Sequence, residues 1–112
     1  MVSNKNNKDY LFSTSEKGNI NIWDLSNKNL YKIIYVNSFL VYIIEWNNKY
    51  IIVADLSNKS FKIIDIENNI IIANIDGQHT QPVTCVKKVN HPLYGESLLT
   101  AGWDRNIKLW CI

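Results

Sequence analysis

Apolar and polar residues alternate along most of this chain with a period of two. Residues 19–23, 60–64 and 106–110 show this most clearly, with Ile, Leu, Phe or Trp at every second position. Such alternation is typical of β-strands that bury one face. The segments are separated by clusters of Gly, Asn, Asp and Ser, which favour tight turns. The pattern predicts about ten short strands and no helix.

The chain also repeats itself. Residues 10–24, 51–65 and 98–110 can be aligned with one another, and the alignment brings one apolar residue near the end of each segment to the same position. These positions are Trp23, Ile64 and Trp110, and subtracting their residue numbers gives spacings of 41 and 46. One four-stranded propeller blade takes ~40–45 residues, so the spacing predicts stacked β units of that kind.

The final third of the chain carries the clearest motif. Residues 78–86 begin with Gln-His-Thr, residues 98–104 end in Gly-Trp-Asp, and residues 107–110 end in Lys-Leu-Trp. This arrangement resembles a full WD repeat, and residues 18–24, with their Trp-Asp pair, resemble the end of another. The resemblance extends over about residues 10–112. It implies an all-β fold of antiparallel four-stranded blades in a partial, open WD-repeat β-propeller.

The same resemblance implies a division of the chain into blades. We expect a polar tail over residues 1–8 and a partial propeller over 9–112, with strands b, c and d of one blade at 9–35, strands a to d of a second at 38–75, and strands a to c of a third at 81–112. A closed ring needs at least about four blades, because each blade leaves apolar faces bare until its neighbours stack on them. We therefore expect a fragment of a longer protein, from the carboxyl end of the ring.

His79, Thr100 and Asp104 together supply the imidazole, hydroxyl and carboxylate of a nucleophilic triad. No Gly-rich nucleophile elbow accompanies them. The WD-repeat resemblance implies a structural network instead, in which Trp110 donates to Thr100 and Thr100 donates to His79. His79 would then donate to Asp104. We favour the structural role, because buried polar groups must be paired, and keep a small hydrolase using His79 and Asp104 as the alternative.

The two earlier blades depart from this pattern. The first has Ser13 and Trp23 at the hydroxyl and indole positions, and both strand-c tryptophans are expected in the core. The second has Ala54, Asn58 and Ile64 where the hydroxyl, carboxylate and indole would be. We predict that the second blade is held together by apolar packing alone.

Trp103 lies in the turn before Asp104, on the face where WD-repeat proteins usually meet partners. A large aromatic residue exposed in a turn suits a binding hot spot, and packing against the next blade is the alternative. The other candidate residues of this face are mixed in charge, which favours a protein partner over a polyanion. They are Gln81, Arg105, Glu16, Lys17, Ser57, Asn58 and Lys59.

Charge and composition exclude several classes of function. The net charge is +2 at pH 7, and Lys and Arg form no dense cluster, which disfavours nucleic acid and anionic membranes as partners. Ile, Asn and Lys are abundant, which we interpret as coding bias. The amino terminus is polar, and no apolar stretch approaches the ~18–20 residues of a membrane span. We expect an intracellular protein, cytoplasmic or nuclear.

Cys85 and Cys111 lie in alternating apolar segments and are expected as reduced core residues. Together with His79 and His91 they lack the close paired spacing of a zinc site, so we expect no metal. The glycines are dispersed and form no phosphate-binding loop, so no cofactor is expected.

The sequence thus predicts a protein-interaction scaffold or adaptor segment rather than an enzyme. A first alternative is the C-terminal regulatory part of a larger multidomain protein with an upstream enzymatic domain. Another is binding of peptide or nucleic acid at strand edges. The remaining blades of a longer chain, or self-association, are expected to cover those open edges, because unpaired edges recruit other strands.

Overall fold

The structure is a computed structural model that describes residues 1–15, 17–47, 49–76 and 78–111. Over these residues it contains eleven β-strands and no helix, and the predicted all-β class is confirmed. The strands are β1 Val2–Lys5, β2 Lys8–Thr14, β3 Asn19–Asp24, β4 Asn29–Tyr35, β5 Leu40–Trp46, β6 Tyr50–Asp55, β7 Ser60–Asp65, β8 Ile70–Ile75, β9 Val83–His91, β10 Gly95–Gly102 and β11 Ile107–Cys111.

The strands form three antiparallel sheets in chain order. Sheet 1 contains β1 to β4, sheet 2 contains β5 to β8, and sheet 3 contains β9 to β11. Within each sheet, every strand pairs with the next one along the chain, so each sheet is a simple meander. The sheets do not close into a ring, and the prediction of antiparallel four-stranded units in a partial, open assembly is confirmed.

The expected polar tail over residues 1–8 is wrong. Val2–Lys5 form β1, which pairs with β2 from Val2 opposite Leu11 to Lys5 opposite Lys8. The strand is polar in sequence, so its hydrophobic pattern gives no signal. The turn that follows does give one, because Asn6 and Asn7 have φ of 51° and 63°, and Asn tolerates the two left-handed positions of a tight hairpin turn.

Sheet 2 is the middle layer, and its inner strands β6 and β7 are buried on both faces. Ile51 and Val53 point into an apolar cluster shared with sheet 1, whereas Ile52 and Ala54 point into a second cluster shared with sheet 3. All four side chains are 0% exposed. A strand covered on both faces reads as a continuous apolar run, which is why residues 51–54 lack the alternation seen elsewhere.

Three hairpin turns share one side-chain arrangement. In each, an aspartate Oδ1 accepts the backbone N–H groups two and three residues later, and its Oδ2 accepts the side-chain amide of an asparagine. The pairs are Asp24 with Asn27, Asp55 with Asn58, and Asp65 with Asn68. The next residue has φ between 55° and 59° in each turn. These asparagines therefore have a specific structural role, beyond any coding bias.

The β2–β3, β6–β7 and β10–β11 turns lie at the same end of the molecule as the connections between sheets. We call this end the loop face. Hydrogen bonds join the connections to the turns there. Gly18 of the β2–β3 turn accepts the N–H groups of Val36 and Asn37, at 2.9 and 3.0 Å. An ideal Cβ on Gly18 would lie 2.3 Å from the backbone N of Ser38, and its φ is +83°. Only glycine fits this close approach between sheet 1 and the start of sheet 2.

Candidate functional site

Four side chains of sheet 3 and its entry loop form one chain of hydrogen bonds. The Trp110 Nε1–H donates to Thr100 Oγ1 at 2.9 Å, and the Thr100 hydroxyl donates to His79 Nε2 at 2.8 Å. His79 Nδ1–H donates to Asp104 Oδ2 at 2.8 Å. This assignment places the proton of a neutral imidazole on Nδ1, because the carboxylate beside that nitrogen can only accept. The structure thus brings together the four residues expected to form a network.

The network joins the β8–β9 connection to the β10–β11 turn. Backbone bonds run beside it: the Thr80 N–H donates to Asp104 Oδ2 at 3.2 Å, and the Trp103 N–H donates to the Pro82 carbonyl at 3.0 Å. An ideal Cβ on Gly102 would lie 2.5 Å from that carbonyl oxygen. The β8–β9 connection and the β10–β11 turn are therefore held together at the loop face by side-chain and backbone hydrogen bonds.

Asp104 is held as a carboxylate by its neighbours. Burial acts to raise the pKa of Asp104, but hydrogen bonds from the Asn106 N–H, from His79 and from the Thr80 N–H outweigh it. The net effect is a pKa below the ordinary value of 3.8. An ionised Asp104 accepts three bonds at once, which suits an anchor between loops.

The network has no reactive group within reach of solvent. Thr100 is 0% exposed and His79 is 4% exposed. The Thr100 hydroxyl already accepts from the indole and donates to the imidazole. A substrate carbonyl could not approach this oxygen without opening the interface between sheets 2 and 3.

The middle sheet contains a buried ion pair that was not predicted from the sequence. Lys62 Nζ lies 2.8 Å from Asp55 Oδ2, with the two side chains 7% and 0% exposed. Lys62 also donates to Ser60 Oγ at 3.2 Å and to Asn74 Oδ1 at 2.9 Å. The prediction that this sheet is held by apolar packing alone is therefore wrong. The sequence signal was a lysine inside an otherwise apolar strand, with an aspartate at the end of the strand before it.

The strand register also corrects one alignment. Leu98 pairs with Trp110 in sheet 3, and Ile51 pairs with Ile64 in sheet 2. Thr100, two residues after Leu98, therefore corresponds to Val53 rather than to Ala54. Val53 and Lys62 are paired, so the Lys62–Asp55 ion pair occupies the same face of sheet 2 that carries the histidine network in sheet 3.

Two residues expected in the core are not there. Trp23 is 37% exposed, although its Nε1–H donates to Ser13 Oγ at 3.1 Å as the alignment implied. It lies on the face of sheet 1 that points away from sheet 2, where none of the described sheets covers it. Cys111 is exposed for the same reason on β11, while Cys85 is partly buried; both thiols are free.

Trp103 is 64% exposed and packs against none of the described sheets. Ser57 and Asn58 are used within the structure, because Ser57 Oγ accepts the Phe39 N–H and Asn58 donates to Ser38 Oγ. Glu16 lies outside the described residues. The other candidates for the partner-binding face are exposed at the loop face, and they are Lys17, Lys59, Gln81 and Arg105.

The described part of the chain contains no group of three or more His, Cys, Asp and Glu side chains arranged to hold a metal. Nor does it contain a helix long and apolar enough to cross a membrane.

Comparison with known families identifies the repeat. The family model described as WD domain, G-beta repeat, matches residues 71–111. This segment of the chain is similar to a WD repeat. The matched WD repeat begins in β8 and ends with β11, so one repeat in sequence spans the outer strand of sheet 2 and all described strands of sheet 3. The matched repeat therefore links two neighbouring sheets.

The fold of this chain is that of part of a propeller. It superposes on the crystal structure of the WD40 β-propeller domain of Doa1 with a TM-score of 0.76 and 20% sequence identity. The match covers 94% of this chain and 33% of that one, so the chain spans about a third of the length of the structure it matches. A search of curated proteins found no match.

Proposed function

We propose that this chain is a non-catalytic protein-interaction scaffold that binds a partner protein through the loop face, with Trp103 as the central contact. The exposure of Trp103 is the observation that carries the proposal, because 64% of a tryptophan side chain is left in water. Exposing so large an apolar surface is unfavourable, and burying it against a partner is a typical source of hot-spot energy.

The support for Trp103 is rigid, which favours binding. Its backbone N–H is bonded to Pro82, and the next residue, Asp104, anchors the histidine network. A contact residue that is already ordered loses little conformational entropy when a partner binds. Arg105, two residues after Trp103, has a left-handed φ of 67° and is exposed, so it offers a charged contact at the rim.

The structure also favours a binding role over hydrolysis. The one grouping of hydroxyl, imidazole and carboxylate predicted from sequence is enclosed between sheets, with Thr100 0% exposed. WD-repeat propellers as a class usually act in recognition. We propose that the uncovered faces of sheets 1 and 3 are covered by further blades of a longer chain, or by self-association. The larger multidomain protein with an enzymatic region stays an alternative for the whole protein.

Affinity capture with three versions of the chain tests the proposal. We expect proteins retained by the unmodified chain to be lost with Trp103→Ala and kept with Tyr94→Ala. Tyr94 is a matched control, because it is 58% exposed in the β9–β10 turn at the opposite end. Retention of the same proteins by Trp103→Ala, or their equal loss from both variants, would contradict the proposal.

A further inference from the structure

A pocket of about 320 Å³ opens between sheets 1 and 2, at the end of the molecule opposite the loop face. We call it the lysine pocket. Its polar lining comes from segments far apart in sequence: the β1–β2 hairpin, strands β2 and β4, and the two turns at that end of sheet 2. The residues concerned are Lys5, Lys32, Lys49, Tyr10, Tyr31 and Glu67.

Three lysines and Glu67 line the lysine pocket, and Asp65 lies close enough to interact with Lys32 and Lys49, so the lysines still outnumber the carboxylates. Lys32 is held in place, because its Nζ donates to the Ile66 carbonyl across the gap between the sheets. Burial and the nearby charge of Lys5 lower the pKa of Lys32, and Asp65 and Glu67 compensate only in part. An anion seated here would relieve this repulsion.

The wall beside the lysines is aromatic. The Tyr10 and Tyr31 rings lie 5.3 Å apart between centroids at 50°, and Lys32 Nζ lies 5.8 Å from the Tyr31 ring centre. Phe12 and Ile22 complete an apolar floor. The pocket therefore combines cationic groups suited to a negative charge with aromatic side chains suited to a flat apolar ring.

We propose that the lysine pocket binds a phosphate monoester carried on a planar ring, with the phosphate at the three lysines and the ring against Tyr10 and Tyr31. Lysine binds phosphate as a point charge, and a dianion matches three cations better than a single carboxylate does. The volume lies at the lower end of the range for small-molecule sites. The site needs no Gly-rich loop, because the charge comes from side chains. It is also separate from the loop face used in the proposed scaffold function.

Titration of the full chain with phenyl phosphate, followed by calorimetry or by backbone NMR shifts, tests this inference. We expect saturable binding, with shifts at Tyr31 and Lys49 that glycerol phosphate and inorganic phosphate reproduce only weakly. Lys49→Gln should weaken binding by about fivefold to tenfold, because removing one near-surface charge costs roughly that much. Lys49 is exposed, so this variant should fold normally.

Lys87→Gln is the matched control, because Lys87 is an exposed lysine on β9 outside the lysine pocket. It should leave the affinity unchanged. Adenosine monophosphate and a phosphotyrosyl dipeptide distinguish a nucleotide from a modified protein side chain as the source of the ring. Absence of saturable phenyl phosphate binding at millimolar concentration would overturn the inference, as would equal weakening by Lys49→Gln and Lys87→Gln.

Discussion

Lys62 and Asp55 form a 2.8 Å ion pair inside sheet 2, on the face that packs against sheet 1. Burial acts to raise the pKa of Asp55, and bonds from Lys62, Asn58 and Ser38 outweigh it, so the pKa is lowered. Sheet 3 carries the histidine network on the equivalent face. Two neighbouring sheets therefore carry different polar interactions on equivalent faces: an ion pair in sheet 2 and a hydrogen-bond network in sheet 3.

Replacing Lys62 by methionine should strongly destabilise the chain. The substitution keeps most of the apolar stem but leaves the Asp55 carboxylate enclosed without a cation, which typically costs about 3–5 kcal/mol of unfolding free energy. Urea denaturation followed by circular dichroism measures the loss. Lys87→Met, at an exposed position on β9, is the control and should change stability little. A Lys62→Met chain as stable as this control would show that the ion pair contributes nothing.

Acid should destabilise the protein through its turn aspartates. The Asn68 side-chain bond holds the pKa of Asp65 below 3.8, against the opposing effect of burial. The pKa of Asp55 and that of Asp104 are lowered as well. The unfolded chain therefore takes up protons at higher pH than the folded chain does. This contribution to stability is present above about pH 4 and is lost as the pH falls through the lower folded values.

Asp65→Asn tests this linkage, because it cannot titrate. Its amide oxygen can still accept the two backbone N–H bonds of the turn, although the bond from the Asn68 side chain is lost. We expect the unmodified chain to lose stability between about pH 5 and pH 3. Asp65→Asn should lose less over the same interval. Denaturant midpoints measured across that range decide the matter, and identical pH dependence in the two chains would refute the assignment of Asp65.

Lys28→Gly should stabilise the β3–β4 turn. Lys28 has φ of 57°, a left-handed conformation that is strained for any residue with a Cβ and free of strain for glycine. We expect a gain of about 0.5–1 kcal/mol in unfolding free energy. The same change at Lys87, within β9, should have the opposite sign, because glycine weakens a strand interior. A loss of stability in Lys28→Gly would contradict the strain argument.

Much of the architecture could be predicted from local pattern. Period-two alternation located most strands, because the strands of sheets 1 and 3 have one buried face. The histidine, threonine, aspartate and tryptophan of the last repeat could be named because their spacing is specific to WD repeats. The repeated Asp-x-x-Asn at residues 24–27, 55–58 and 65–68 is a further local signal, because Asp and Asn side chains at this spacing favour tight turns.

The remaining features depend on which surfaces meet. Trp23 and Trp110 occupy equivalent strand positions, yet only Trp110 faces another described sheet, where it packs against Phe61 with ring centroids 5.0 Å apart. A single aromatic residue at this strand position does not show whether a neighbouring sheet covers it. The lysine pocket was hidden for a related reason, because Lys5, Lys32 and Lys49 are far apart in sequence and converge only through folding.

We propose that His79 stabilises the fold by joining Thr100 to Asp104, whereas Trp103 contributes to partner binding and not to stability. Comparing the unfolding free energies of His79→Ala and Trp103→Ala by circular dichroism in urea tests it most directly. We predict a loss of about 1–3 kcal/mol for His79→Ala, because Thr100 and Asp104 lose a buried partner, and a change within about 0.5 kcal/mol for Trp103→Ala. Unchanged stability of His79→Ala, or equal losses in the two variants, would contradict the account.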